Sequence, residues 1–184
     1  TTDYNKVIED PDIDLIFIVT RHDTHAPYTA KALKAGKYVF VEKPLAINKE
    51  QLAEVLKAYK VRHGKIMVGF NRRFSTLVQE IKKLIRSRVE PLMTFIRVNA
   101  GFTPLSHWIF DPRQGGGRVI GEMCHFIDLA LYLTESFPVS VYAENISTCK
   151  KYHFTDNISV IMHHEDDSIS TILYTALGSR KYSR

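Results

Sequence analysis

Tyr38-Val39-Phe40-Val41-Glu42-Lys43-Pro44 is the stretch on which the fold turns. Its apolar opening, aromatic and β-branched, predicts a short buried strand. A lysine directly after such a strand sits at the carboxyl edge of a parallel sheet, where open α/β folds bind their ligands. Upstream lies Leu15-Ile16-Phe17-Ile18-Val19 and downstream Ile66-Met67-Val68-Gly69. The first is a continuous apolar run, as expected of a strand covered on both faces. Helices are predicted between these strands. One is capped by Asp23 or Thr24, carries Pro27 in its first turn and is closed by Gly36. The other opens on an Asn48–Gln51 capping box and is closed by Gly64. Strand-helix-strand-helix-strand with short connections means a parallel sheet with right-handed crossovers.

Beyond residue 74 the pattern changes. A helix over Thr76 to Arg86 leads to a strand over Leu92 to Phe102, and one long helix is predicted from Gly117 to Leu133. Alternating segments at Val139 to Ser147, Asn157 to His164 and Ser168 to Leu177 read as strands of an antiparallel sheet with one covered face, with Asp166-Asp167 as a hairpin turn. The fold class is therefore α/β. Residues 1–74 read as half a doubly wound, partial Rossmann-type parallel sheet, which would be the C-terminal half of a dinucleotide-binding domain. Residues 75–184 form an α+β domain with a mainly antiparallel open sheet. The chain enters on a polar helix, Asp3 to Glu9, with no glycine-rich dinucleotide fingerprint ahead of the strands, and Gly178 to Arg184 stops with the sheet unfinished. The expectation is a fragment cut at both ends.

Composition narrows the function classes. With 25 basic and 20 acidic side chains the chain carries +5, spread over helix surfaces and not interleaved with aromatics, so no nucleic-acid partner is expected. No apolar run approaches the ~20 residues of a membrane span, and no membrane partner is expected. Cys124 and Cys149 form neither a metal pattern nor a disulfide framework, which fits a reducing cytoplasm.

Thr20, Lys43 and Asn71 follow the strands and are expected on one rim, since parallel strands share a direction. Lys43 can donate a hydrogen bond or proton to a substrate oxygen, with Pro44 fixing the backbone beside it. On the long helix, spaced at ~100° per residue, Val119, Ile120, Met123, Phe126, Ile127, Ala130 and Leu131 share an apolar face. Gly121, His125, Asp128 and Tyr132 line the opposite stripe, which faces either water or a polar crevice. Histidine suits proton transfer near neutral pH. His22, His25 and His125 lack the carboxylate or cysteine spacing that would complete a zinc set, so no metal is expected.

These residues resemble the glucose–fructose oxidoreductase / myo-inositol dehydrogenase (Gfo/Idh/MocA) family. Asp12 to Thr20 with His25, Ala35 to Pro44, Val68 to Phe74 and Gly115 to Leu129 are similar, in order, to four of its segments. The resemblance implies NAD or NADP as cofactor, bound with Thr20, His25, Glu42, Lys43, Pro44, Asn71 and Arg72. It implies hydride exchange with a sugar, sugar-nucleotide or cyclic polyol. His125 would handle the hydroxyl proton while Lys43 polarises the oxygen. Many members carry an acid or amide four residues before the histidine. Gly121 stands there in this chain, and Glu122 is the neighbouring substitute. Gly121 with Arg118 and Cys124 looks like a branch linked to polysaccharide biosynthesis. The alternative is a member that binds sugar or dinucleotide as a sensor without turnover. A homo-oligomer through the open sheet is expected.

Overall fold

Three short parallel strands and three helices build the first part of the computed structural model, which describes residues 1–62, 65–146, 150–179 and 181. The expectations at Gly64, Ser147, Cys149 and the terminal residues 180 and 182–184 lie outside the described residues. The chain divides into two units: Thr1–Phe70 with Asp111–Gly121, and Asn71–Phe110 with Glu122–Arg184.

In the first unit, α1 (Tyr4–Glu9) is capped by Asp3, whose carboxylate accepts from the Asn5 N–H at 2.9 Å. The strands β1 (Leu15–Ile18), β2 (Tyr38–Val41) and β3 (Ile66–Val68) pair in parallel in that spatial order, Ile18 beside Val41 and Val41 beside Val68. The helices α2 (His22–Lys34) and α3 (Lys49–Arg62) pack against each other and against one sheet face. That core holds Ile18, Ala30, Leu33, Val39, Val41 and Val55.

The other face corrects the expectation of strands covered on both sides: Leu15, Phe17 and Met67 are 48%, 62% and 48% exposed. Two successive right-handed crossovers running the same way across a sheet put both helices on one face, which is the physical reason.

The start of α2 is also corrected. Its N-cap is Arg21, with no side-chain cap, and Asp23 lies inside the first turn. Thr24 instead donates its hydroxyl to the Arg21 carbonyl at 2.8 Å. Pro27 therefore falls past the first turn and leaves the Asp23 carbonyl without its helical N–H. The Gln51 side-chain amide donates to that carbonyl at 3.3 Å. The same Gln51 completes the expected cap of α3. Its N–H donates to Asn48 Oδ1 at 2.8 Å, and its own oxygen accepts from the Ile47 N–H at 3.0 Å.

The second unit carries a 3-10 turn at Asn71–Phe74, then α4 (Thr76–Ile85), β4 (Met93–Asn99), α5 (Cys124–Thr134), β5 (Pro138–Asn145), β6 (Asn157–His164) and β7 (Ile169–Thr175). Its four-stranded sheet runs β4-β7-β6-β5, antiparallel except for the β4–β7 pair. On β7 alternate residues Ser170, Ile172 and Tyr174 are buried, and Asp167 closes the β6–β7 hairpin at φ +68°.

The long helix is not uniform. A π turn, Val119–Met123, spans the boundary of the two units and leads into α5. An i→i+5 turn shifts the azimuth of every residue after it, so a wheel drawn at 100° through position 121 fails. Within α5, Asp128 is buried and pairs with Arg73, so this part of the polar stripe faces protein and not water.

Candidate functional site

Lys43 comes just after β2, as expected, and the Lys43–Pro44 peptide is cis. The lysine does not hang in solvent: its Nζ donates to the Gly121 carbonyl at 2.5 Å. Residues 111–121 lie along the first unit and are tied to it at four places. Arg21 Nη1 donates to Gln114 Oε1 at 2.9 Å, and His22 Nδ1 donates to the Gly115 carbonyl at 3.1 Å. Gly116, at φ +74°, brings its Cα so close to Ile47 that a Cβ there would meet Ile47 Cβ at 3.1 Å. Lys43 on Gly121 is the last tie. Burial lowers the His22 pKa below its usual value, and the Lys43 charge adds to the effect while the Gly115 carbonyl opposes it. The neutral ring carries its proton on Nδ1, since its partner there is an acceptor.

His25 is 1% exposed and spans the two loops of the rim, with Nδ1 2.8 Å from the Pro44 carbonyl and Nε2 2.9 Å from the Thr20 carbonyl. It is a brace for the backbone on either side of Lys43. Thr20 turns its hydroxyl to Thr24 Oγ1 at 2.6 Å. Glu42 lies with its carboxylate against Gly69, where an added Cβ would stand 3.1 Å from Oε1. Thr20, His25, Glu42, Lys43 and Pro44 are thus gathered at the carboxyl ends of β1 and β2.

Asn71 and Arg72 belong to the second unit, in the 3-10 turn with Arg73. The Arg72 guanidinium lies over Phe126 at 5.4 Å. His125 is half-buried in the first turn of α5. Glu122 accepts a short hydrogen bond from the hydroxyl of Tyr174, a fully buried residue of β7. Sequence reasoning missed this partner, and it missed Arg73, which donates through Nε to Asp128 Oδ2 at 2.6 Å and through Nη2 to Oδ1. Asp128 was visible as an acid on the stripe of His125. Its partner lies 55 residues away in the sequence, where no local pattern marks it. Among the described residues no cluster of His, Cys, Asp or Glu could hold a metal ion, and no helix is long and apolar enough to cross a membrane.

Comparison with known proteins bears on this arrangement. The description "Oxidoreductase family, NAD-binding Rossmann fold" of the GFO_IDH_MocA group matches residues 1–70, and the "GFO/IDH/MocA C-terminal domain" matches residues 78–183. An inositol 2-dehydrogenase of Rhizobium meliloti is 31% identical over 172 residues, 92% of this chain and 49% of that protein. The oxidoreductase YrbE of Bacillus subtilis is 31% identical over 144 residues, 78% of this chain and 42% of its own length. A levoglucosan dehydrogenase solved with NADH and levoglucosan superposes with a TM-score of 0.83 at 26% identity, covering 100% of this chain and 53% of that one. The chain spans about half the length of the curated relatives it matches.

Proposed function

The chain belongs to the Gfo/Idh/MocA oxidoreductase family, and on that premise we propose that it contributes Lys43 and His125 to a hydride exchange between a nicotinamide dinucleotide and a sugar, sugar-nucleotide or cyclic polyol. The observation that carries the reading is the Lys43 ammonium, fixed at the end of a parallel strand on the carbonyl of Gly121. A cation held by a neutral oxygen keeps its full charge for a second oxygen. That is what polarising an alcohol or ketone requires.

The rim fits a dinucleotide. Parallel strands end in register, and the loops after β1 and β2 are braced by a buried histidine and keep polar groups at their edge. Thr20, Glu42, Lys43 and Pro44 would hold the cofactor there, His25 would set the two loops that do so, and Asn71 and Arg72 would supply further donors. Bound NAD or NADP supplies the hydride acceptor or donor. The chain's own work is acid–base. His125 takes the proton of the substrate hydroxyl during oxidation and returns it during reduction. Lys43 stabilises the negative charge that develops on the same oxygen. Each contribution is typically worth ~10²–10⁴ in rate.

Lys43→Ala and His125→Ala in the protein that carries this chain test the reading, with inositol, levoglucosan and related polyols as trial substrates. Each is expected to lower kcat/KM by about two to four powers of ten with little change in cofactor affinity. Activity within a factor of three of the parent in both variants contradicts it. Glu122→Gln separates two versions. A comparable loss makes Glu122 the acid that Gly121 does not provide, and a near-neutral result leaves Glu122 as the partner of Tyr174.

Self-association is expected from the second sheet. Its outer face presents Phe95, Thr171, Ile161 and Tyr142 in one row across the strands, with Phe95, Ile161 and Tyr142 exposed by 67%, 44% and 63%. A second copy of the chain would cover that row, and the expected observation is a dimer or larger assembly in sedimentation that Tyr142→Asp weakens.

A further inference from the structure

We infer that Arg73 and Asp128 are a positioning pair for His125, holding α5 at the rotation that aims the ring at the substrate oxygen. The inference rests on the proposed acid–base role of His125 and extends it to residues that do not touch the reacting atoms. Asp128 lies three residues after His125 on α5, hence on the same side of the helix, and is 6% exposed. Arg73 meets it as a fork, using Nε and Nη2 on the two carboxylate oxygens. This geometry fixes angle as well as distance.

The pair is the centre of a longer clamp. One residue beyond His125, Phe126 carries the Arg72 guanidinium at 5.4 Å. One turn beyond Asp128, Tyr132 lies under the Arg73 guanidinium at 5.3 Å. Gln79 of α4 then donates through one nitrogen to the Arg73 carbonyl and to the Tyr132 hydroxyl, the latter at 3.0 Å. The turn at Asn71–Phe74 and the start of α4 thus grip α5 at three levels, beginning next to His125.

The grip lies just downstream of an irregular turn. The π turn at Val119–Met123 interrupts the regular i→i+4 ladder just upstream of the histidine. An α-helical ladder sets the azimuth of each residue from the last; a π turn adds an offset to it, and the downstream contacts hold the rotation that results. A buried ion pair is weak evidence for stability, since an apolar pair of similar volume is often as good. Its fork geometry specifies direction. A displacement of about 1 Å at a reacting group can cost ~10² in rate.

The test combines kinetics with a readout on the chain itself. In the active protein, Asp128→Asn is expected to lower kcat about 10- to 100-fold with KM and cofactor affinity within a factor of three, and Arg73→Lys should retain more activity than Arg73→Met. In a His125→Ala background Asp128→Asn should change kcat no further, while its loss of thermal stability persists. A full effect of Asp128→Asn in that background, or a kcat within a factor of three in the parent background, overturns the inference. The role of His125 fails separately, when His125→Ala alone leaves kcat intact.

On the unloaded 184-residue chain, histidine ring signals by NMR, with His125 assigned through His125→Gln, provide the second measurement. Asp128→Asn should broaden or split the His125 signal and leave that of buried His164 in place as a check on folding. An unchanged His125 signal contradicts the inference. Should Asp128→Asn disrupt the His164 signal too, Arg73→Lys replaces it, with the same two outcomes.

Discussion

The two units of the chain seat their partly buried basic side chains on different sets of partners. In the first, positive and titratable groups end on backbone carbonyls: Lys43 on Gly121, His22 on Gly115, His25 against Thr20 and Pro44, and Lys37 on Asp10 and Ile13. In the second they also reach carboxylates: Arg73 pairs with Asp128, Arg88 with Asp166 and Lys82 with Glu135, while Arg88 and Lys82 donate to the Thr134 and Tyr132 carbonyls as well. A carbonyl orients a cation without cancelling its charge, whereas a carboxylate neutralises it. The first arrangement suits a lysine that must act on a further oxygen. The second suits helices and strands that must be held in place.

The comparison breaks most visibly through the carboxylates. Arg73→Met leaves the Asp128 charge buried without its partner and is expected to cost about 3 kcal/mol, or roughly 6–12 °C in melting temperature. Lys43→Met strands no charge and should cost less than ~1 kcal/mol while abolishing most activity. Equal losses of stability in the two variants would show that the distinction between carbonyl and carboxylate partners carries no energetic meaning here.

Gly116→Ala attacks the first unit at its backbone. The positive φ and the Ile47 contact both oppose a side chain, and the expected cost is about 1–2 kcal/mol, read by thermal denaturation. Activity should fall with it, because residues 111–121 carry the carbonyl that holds Lys43.

Much of this was legible in the sequence. The three parallel strands sit within a residue or so of where their apolar runs placed them, because a short apolar, β-branched run between polar or turn-forming residues has few other structures open to it. Asn48 and Gln51 announced their cap, and Asp166-Asp167 its hairpin. The π turn was not legible: at 119–123 the apolar spacing fits an α-helix, and nothing in the residue types reports where one extra residue is taken up. The ties of Lys43 to Gly121 and of Arg73 to Asp128 join residues far apart in the chain, and they depend on how elements pack. Pairing of β4 beside β7 in parallel was equally hidden, since alternation reveals which residues face inward and not which strand lies alongside.

Acid sharpens the comparison further. Burial alone would raise the Asp166 carboxyl, but hydrogen bonds from Arg88, from the Ser168 hydroxyl and N–H and from Ser136 outweigh it and hold the group at about 2. The folded value lies below the unfolded one of ~3.9, so the folded state binds fewer protons. The stabilisation is complete above pH ~4 and is lost as the pH falls through about 2. The destabilisation by Arg88→Met at pH 7 should therefore shrink across that window, a change readable by denaturant titration at each pH.

His22 gives the smallest effect and at a different pH. Its folded pKa is lowered, chiefly by burial, so its contribution is present above the unfolded value near ~6.5 and declines as the pH falls below it. His22→Gln should flatten the stability of the first unit between pH ~7 and ~5, as measured by hydrogen exchange of β1 and β2 amides.

One kinetic cycle tests the joint use of Lys43 and His125 most directly: kcat/KM for the parent, Lys43→Ala, His125→Ala and the double variant on a turned-over polyol. If both residues act on the same substrate oxygen and its proton, the double variant loses clearly less than the product of the single losses. Losses that multiply in full would show two independent sites of action and contradict the account.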